Sequence, residues 1–111
     1  MLTIGHSEKK VVLSFNGINR INVLNHEFLK DALVRILDKT EKKEIFIDLE
    51  GISFIDSAGF GMLMELLKLA ENKEKRILFC NLSDEIMELI DLMNLQHQFM
   101  SNEQLCEVAE F

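Results

Sequence analysis

The segment Ile52-Ser53-Phe54-Ile55-Asp56-Ser57-Ala58-Gly59-Phe60-Gly61 sets a hydroxyl between a carboxylate and a small side chain, where a strand should give way to a helix. A serine so placed can act as a nucleophile or accept a phosphoryl group. Upstream, residues 44–49 form a short apolar run of the kind a buried strand shows, and downstream Phe60, Leu63, Leu67 and Ala70 recur at helical spacing. Ser57 therefore falls at a helix N-terminus. Backbone N–H groups there lack intrahelical partners and the helix dipole is positive, so a phosphate carried on Ser57 would be accommodated electrostatically.

Catalysis makes stricter demands on the same residues. A nucleophile elbow needs glycine two residues before and two after its serine; Gly59 meets the second condition and Ile55 fails the first. An aspartic-protease site needs two carboxylates sharing a site, which a single Asp56-Ser57-Ala58 segment could supply only through a dimer. Gly59-Phe60-Gly61 lacks the remaining spacing of a dinucleotide fingerprint, and no Gly-x-x-x-x-Gly-Lys phosphate loop exists. Cys80 and Cys106, with His6, His26 and His97, show no metal-ligand spacing, and Cys80 in the apolar run Ile77-Leu-Phe-Cys80 reads as a buried thiol. The pattern predicts a non-enzyme with no cofactor and no metal. A small serine hydrolase using Ser57 is the alternative from a different class, and it needs a base brought to the serine by the fold.

The acids outnumber Lys and Arg by 19 to 12 in a chain of 111 residues, and the resulting charge of −7 argues against non-specific nucleic-acid binding. Hydrophobic residues at 48% and charged residues at 28% predict a globular chain, and no apolar run reaches membrane length, so no membrane insertion is expected. Residues 1–6 lack the basic flank and long apolar stretch of a secretory leader, which predicts a cytoplasmic protein. The length suits one domain, residues 1–111.

Strands and helices alternate along the chain. Residues 10–15 predict a strand ended by the turn Asn16-Gly17; Phe28, Leu29, Ala32, Leu33, Ile36 and Leu37 predict a helix with Asn25 as N-cap, closed by the charged stretch Lys39 to Glu44. A strand over 44–49, a helix over about 58–72, a strand over 76–80 and a Ser83-capped helix carrying Ile86, Leu89, Ile90 and Met93 follow. Residues 96–100 predict a short strand, and Ser101 with Gln104 a capping box for a terminal helix. The order predicts an α/β fold, a mixed and mostly parallel sheet of four or five strands with about four helices. The helix after Ser57 is apolar nearly all round, so it is either a core helix or one that keeps a face for docking.

The run Ile47-Asp-Leu-Glu-Gly-Ile-Ser-Phe-Ile-Asp-Ser-Ala-Gly-Phe-Gly61 resembles the phosphorylation-loop segment of the STAS domain family, which includes bacterial anti-sigma factor antagonists. The likeness extends from the strand near Val11 through Leu78-Phe-Cys-Asn-Leu-Ser83 to residues 86–95. It implies a transcription-regulating switch that, unphosphorylated, binds an anti-sigma factor with serine kinase activity and frees a sigma factor. It further implies phosphorylation of Ser57 by that partner and its reversal by a phosphatase. The partner face is expected around Asn22, Asp56, Ser57, Ala58 and Gly59, with Phe60, Met64 and Glu65 on the helix that follows. Asn22 stands where members of the family often carry an acid, a departure that implies slower phosphorylation or a purely docking role. Within the same family the alternative is a docking subunit of a lipid-transport or stress-signalling complex. The bland reading makes Ser57 a helix cap; Asp56 could also fill that role, while Ser53, Ser83 and Ser101 read as structural.

Overall fold

Alternating side chains on β2 (Lys10–Phe15) send Val11, Leu13 and Phe15 into the main core, while Val12 joins a smaller cluster with Phe46, Leu78 and Cys80 on the other face of the sheet. The computed structural model describes residues 2–99. Strands β4 (Glu44–Asp48) and β6 (Arg76–Cys80) run parallel to β2, and β1 (Leu2–His6) lies antiparallel along its outer edge, giving the order β1-β2-β4-β6. Residues 45–48 of β4 are buried whichever way they point, which is why the strand reads as a continuous apolar run rather than an alternation. Lys10 places its ammonium 5.2 Å from the Phe46 ring centre.

Helix α1 (His26–Lys39) buries Leu29, Leu33 and Leu37, a stripe set by the four-residue spacing of one helix face. Its last carbonyls are met from another part of the chain: the Lys75 ammonium donates to Leu37 O at 2.5 Å and Thr40 O at 2.8 Å. A cation at the negative end of the helix dipole satisfies acceptors that the helix itself leaves open. Asn25 occupies the predicted N-cap position, but its side chain makes no capping bond and turns back toward the preceding loop.

Helix α2 (Ser57–Asn72) answers the question its sequence left open. Gly59, Phe60, Met62, Leu63, Leu66 and Ala70 are buried, and Met64, Leu67 and Leu69 pack partly against the same core between α1 and the sheet. Ser57, Gly61, Glu65 and Lys68 remain exposed. The near-uniform apolarity thus reflects burial on several sides, with one narrow polar stripe left to solvent.

A pair of two-residue strands, β3 (Arg20–Ile21) and β5 (Phe54–Ile55), forms a separate parallel sheet beside the start of α2. Gly59 makes this approach possible. A Cβ there would lie 2.7 Å from Ile21 O and 2.8 Å from Ile55 Cγ2, closer than real side chains come. At Gly61 the same atom would meet nothing within 4 Å.

Helix α3 (Asp84–Leu92) begins as predicted, with Ile86 N donating to Ser83 Oγ at 3.2 Å. The strand predicted over 96–100 is a short helix instead, α4 (Gln96–Phe99). Asn94, at φ 62, turns the chain after α3, and Gln98 N and Phe99 N then bond back to Leu95 O. Phe99 meets Phe79 and Phe60 at centroid distances of 4.7 and 5.6 Å, so one inward ring anchors the turn without a neighbouring strand. Strand β1 is an addition to the elements predicted above, and Leu2 and Ile4 alternate with Thr3 and Gly5 as an edge strand should. The Ser101–Gln104 capping box lies outside the described residues.

Two stability outcomes follow from this packing. Leu63, 0% exposed, should lose about 2–5 kcal/mol on Leu63→Ala, read as a lower urea midpoint with unchanged slope. Alanine at the two glycines should act in opposite directions: Gly59→Ala costs roughly 1–3 kcal/mol by forcing α2 off β3, and Gly61→Ala gains about 1 kcal/mol from helix propensity. Urea melts of the two variants side by side check the signs.

Candidate functional site

The loop before α2 is fastened to the loop before α1 by backbone bonds. Ser53 N donates to Asn19 O at 2.8 Å and Asp56 N donates to Ile21 O at 3.1 Å, continuing the β3–β5 pairing past its end. Asp56, extended at φ −89 and ψ −177, is the N-cap of α2. Its Oδ1 accepts from Gly59 N at 2.8 Å and its Oδ2 accepts from Val23 N at 3.0 Å. One oxygen serves the helix and the other serves the neighbouring loop, so both are committed to backbone N–H groups.

That assignment leaves Ser57 outside the capping bonds. It is the first residue of α2 and exposed, and among the described residues its hydroxyl has no hydrogen-bond partner. The cap is Asp56, so the reading of Ser57 as a structural cap is not supported. A hydroxyl that holds nothing in place, at a helix N-terminus, can be modified without breaking a bond of the fold. Among the described residues, no histidine is hydrogen-bonded to Ser57.

The β3–α1 loop is held by its asparagines. Asn22 Oδ1 accepts from Leu24 N at 3.0 Å, Asn25 Oδ1 accepts from Asn22 N at 2.9 Å, and Asn25 Nδ2 donates to Arg20 O at 2.9 Å. The carbonyl of Asn22 also accepts from His26 N at 2.9 Å, which starts α1. Asn22 thus shapes the loop with an uncharged acceptor. With the backbone fixed this way, Val23 and Leu24 point outward at 66% and 89% exposure.

Val23, whose N–H is bonded to Asp56, and Leu24 after it thus set two exposed apolar side chains beside the Asp56–Ser57 turn; Phe54, two residues before Asp56, and Phe28 on α1 are exposed as well, at 43% and 59%. Sequence periodicity groups Phe28 with the buried face of α1. Only Leu29, Leu33 and Leu37 are fully buried there, and Phe28 falls one position off that stripe. The signal available for Val23 and Leu24 was an apolar pair in a segment of asparagines, between two elements.

The other predicted contact residues divide by geometry. Phe60 is corrected: at 2% exposure, edge-on to Phe99 at 83°, its side chain belongs to the core and offers no surface. Gly59 is buried against Ile21, so its contribution is the close approach of helix to strand. Ala58 and Met64 are half-buried, and Glu65 is exposed with an ion pair to Lys30 at 3.1 Å. Asn22, Asp56, Ser57 and Ala58 are brought together by the β3–β5 pairing and the Asp56 bonds. Met64 and Glu65 lie about two turns further along α2.

Among the described residues, no helix is long and apolar enough to cross a membrane. Comparison with known proteins adds the family. An anti-sigma-B factor antagonist of Staphylococcus aureus (strain NCTC 8325 / PS 47) is 30% identical over 61 residues, 55% of this chain and 56% of the relative, so the match spans little more than half of either protein. The anti-sigma factor antagonist SpoIIAA in its unphosphorylated form superposes with a TM-score of 0.71 at 18% identity, covering 90% of this chain and 86% of that one. Its phosphorylated Bacillus form gives 0.64 at 18% identity over 90% and 89% of the two chains. A sulfate transporter family protein of Wolinella succinogenes gives 0.61 at 19% identity, over 78% of this chain and 67% of that one. At these identities the structural likenesses establish the fold. The sequence profile of the STAS domain matches residues 5–107, and the chain belongs to the STAS domain family.

Proposed function

We propose that the protein is an anti-sigma factor antagonist, a binding switch whose unphosphorylated form docks an anti-sigma factor with serine kinase activity and so frees a sigma factor. The observation that carries this reading is the Ser57 hydroxyl, exposed and uncommitted beside an apolar surface while Asp56 does the capping. The name of the Staphylococcus relative supports it, as does the existence of a SpoIIAA structure in phosphorylated form. Ser57 is the phosphoacceptor, and a phosphatase resets it.

Phosphorylation would add roughly −1.5 to −2 charges at Ser57. The fold tolerates them, because the open N–H groups and positive dipole of the α2 N-terminus face the same place. A docked partner does not. The phosphate would sit against the Asp56 carboxylate, which its two backbone bonds hold in place, and next to Val23 and Leu24, which a partner must desolvate. Repulsion and hydration of the phosphate then oppose burial of the apolar surface. A loss of about 3 kcal/mol would weaken binding more than a hundredfold, with no change of conformation. Asn22 keeps the loop bond to Leu24 N but brings no charge, so whatever a carboxylate at that position contributes to phosphoryl transfer is missing here.

The test is a titration against the anti-sigma factor kinase of the source cell. Wild type and Ser57→Ala should bind alike. Ser57→Asp should bind at least about tenfold more weakly while its thermal stability stays equal or rises by up to about 1 kcal/mol, the usual gain from an acid in a helix's first turn. Incubation with the partner and ATP should add one phosphate to wild type and none to Ser57→Ala. Equal binding by wild type and Ser57→Asp would discard the switch and favour a docking subunit, the reading that the fold likeness to a sulfate transporter family protein supports.

The apolar surface carries its own outcome. Leu24→Asp, at a side chain 89% exposed, should leave the urea midpoint nearly unchanged and reduce partner affinity by about tenfold or more. Unchanged affinity in that variant would remove the β3–α1 loop from the interface.

A further inference from the structure

The outer edge of β1 differs from the guarded edges usual in natural sheets. Natural edge strands carry lysines, prolines or bulges that discourage a further strand. Strand β1 reads Leu-Thr-Ile-Gly-His, pairs with β2 in unbroken register from Leu2↔Phe15 to His6↔Val11, and has no second neighbour in the sheet among the described residues. Ile4 is 44% exposed. Because Ile4 faces the same side as its partner Leu13, the apolar helix-side face of the sheet runs out to this edge uncovered.

Helix α1 overhangs the edge and closes a groove of about 430 Å³, with Leu2, Ile4, Ala32 and Ile36 as its apolar lining and Arg35 and Lys39 among its polar residues. No acidic residue lines it, in a chain that carries a net charge of −7. Among the described residues, neither Arg35 nor Lys39 forms an ion pair, whereas Lys30 and Asp38 of the same helix are matched by Glu65 and Lys73; the remaining α1 charges, Glu27 and Asp31, do not line the groove. An open strand edge, an apolar floor and two unmatched cations therefore coincide, on the outer side of α1.

We propose that this edge accepts an extended acidic segment of a partner protein as an added strand. Its groove-facing side chains would be apolar opposite Ile4 and Ile36 and carboxylate-bearing opposite Arg35 and Lys39. Main-chain bonds to β1 supply affinity, and alternate side chains entering the groove supply selectivity. A second copy of this chain fits less well. Antiparallel pairing of β1 with its own copy about Ile4 would bring two sets of Arg35 and Lys39 together, between molecules that each carry −7. The surface and its occupant are independent of the Ser57 switch.

The probe is the acetylated, amidated peptide Glu-Thr-Val-Thr-Val-Thr-Glu, titrated into the full chain with backbone amide shifts followed by nuclear magnetic resonance. Shifts should concentrate at residues 2–6 and 35–40 and leave 54–60 unmoved. A peptide with lysine at both ends should bind at least about tenfold more weakly, and the Arg35→Glu, Lys39→Glu double variant should reverse that preference. These exposed positions leave the core intact, so the double variant should still fold cooperatively, melting modestly below wild type because Lys39 stands in the last turn of α1. Equal binding of the two peptides, or no response along β1, would overturn the proposal. So would β1 shifts that depend on protein concentration and vanish in Ile4→Lys, since a second copy would then be the occupant.

Discussion

Both oxygens of Asp56 accept backbone N–H bonds, one from Gly59 inside the first turn of α2 and one from Val23 in the loop that leads to α1. A carboxylate can satisfy two such donors at once, and charge-assisted bonds of this kind are stronger than neutral ones. The bonds tie together segments that are 33 residues apart in one case and three in the other. Around them, Asp56 N reaches Ile21 O, Ser53 N reaches Asn19 O, and Gly59 lets the helix backbone come up against Ile21. The two loops at this end of the sheet consequently behave as one piece, and the position of Ser57 is set by its neighbour rather than by any bond of its own.

This division separates stability from signalling. The core comes from Leu63 and Leu66 of α2, Leu29, Leu33 and Leu37 of α1 and Val11, Leu13, Ile45, Ile47 and Phe79 of the sheet, all buried. Ser57 contributes no hydrogen bond to that arrangement among the described residues. A charge placed there acts on what lies outside the molecule, and the helix dipole offsets its cost within. The outward apolar side chains of the β3–α1 loop have a related origin. Asn22 and Asn25 spend their side chains on the backbone of the same loop, which leaves Val23 and Leu24 no freedom to fold inward.

The sheet is asymmetric in a way that follows from its connections. The parallel neighbours β2, β4 and β6 are joined by crossovers, so α1 and α2 must lie across the sheet and cover the strands they connect. Strand β1 enters by a hairpin instead, with Ser7 N bonded to Lys10 O in the turn, and no crossover helix is assigned to it. It extends the sheet beyond the helical layer, where α1 shelters it only in part. The exposed Ile4 and the groove beside it are products of that topology.

Sequence alone determined the elements whose periodicity is uninterrupted: β2, β4 and β6, helices α1, α2 and α3 within a residue or two, and the strand-to-helix turn that carries Ser57. These follow from local hydrophobic patterning, which one strand or helix expresses by itself. Residues 96–99 escaped such patterning because a single inward aromatic, Phe99, satisfies a short helix as well as a strand. The pairing of β3 with β5 escaped it too, being two residues long and made by segments distant in the chain. Which member of the Asp56–Ser57 pair caps the helix, whether Phe60 faces the core, and whether Phe28, Val23 and Leu24 face water were left to tertiary structure. Each depends on where a second, sequence-distant segment lies: Val23 against Asp56, Phe99 against Phe60, and the asparagine-held loop beneath Leu24. Long-range contact decides such matters because a side chain's exposure belongs to its neighbours in space, and local spacing specifies only which side chains share a face.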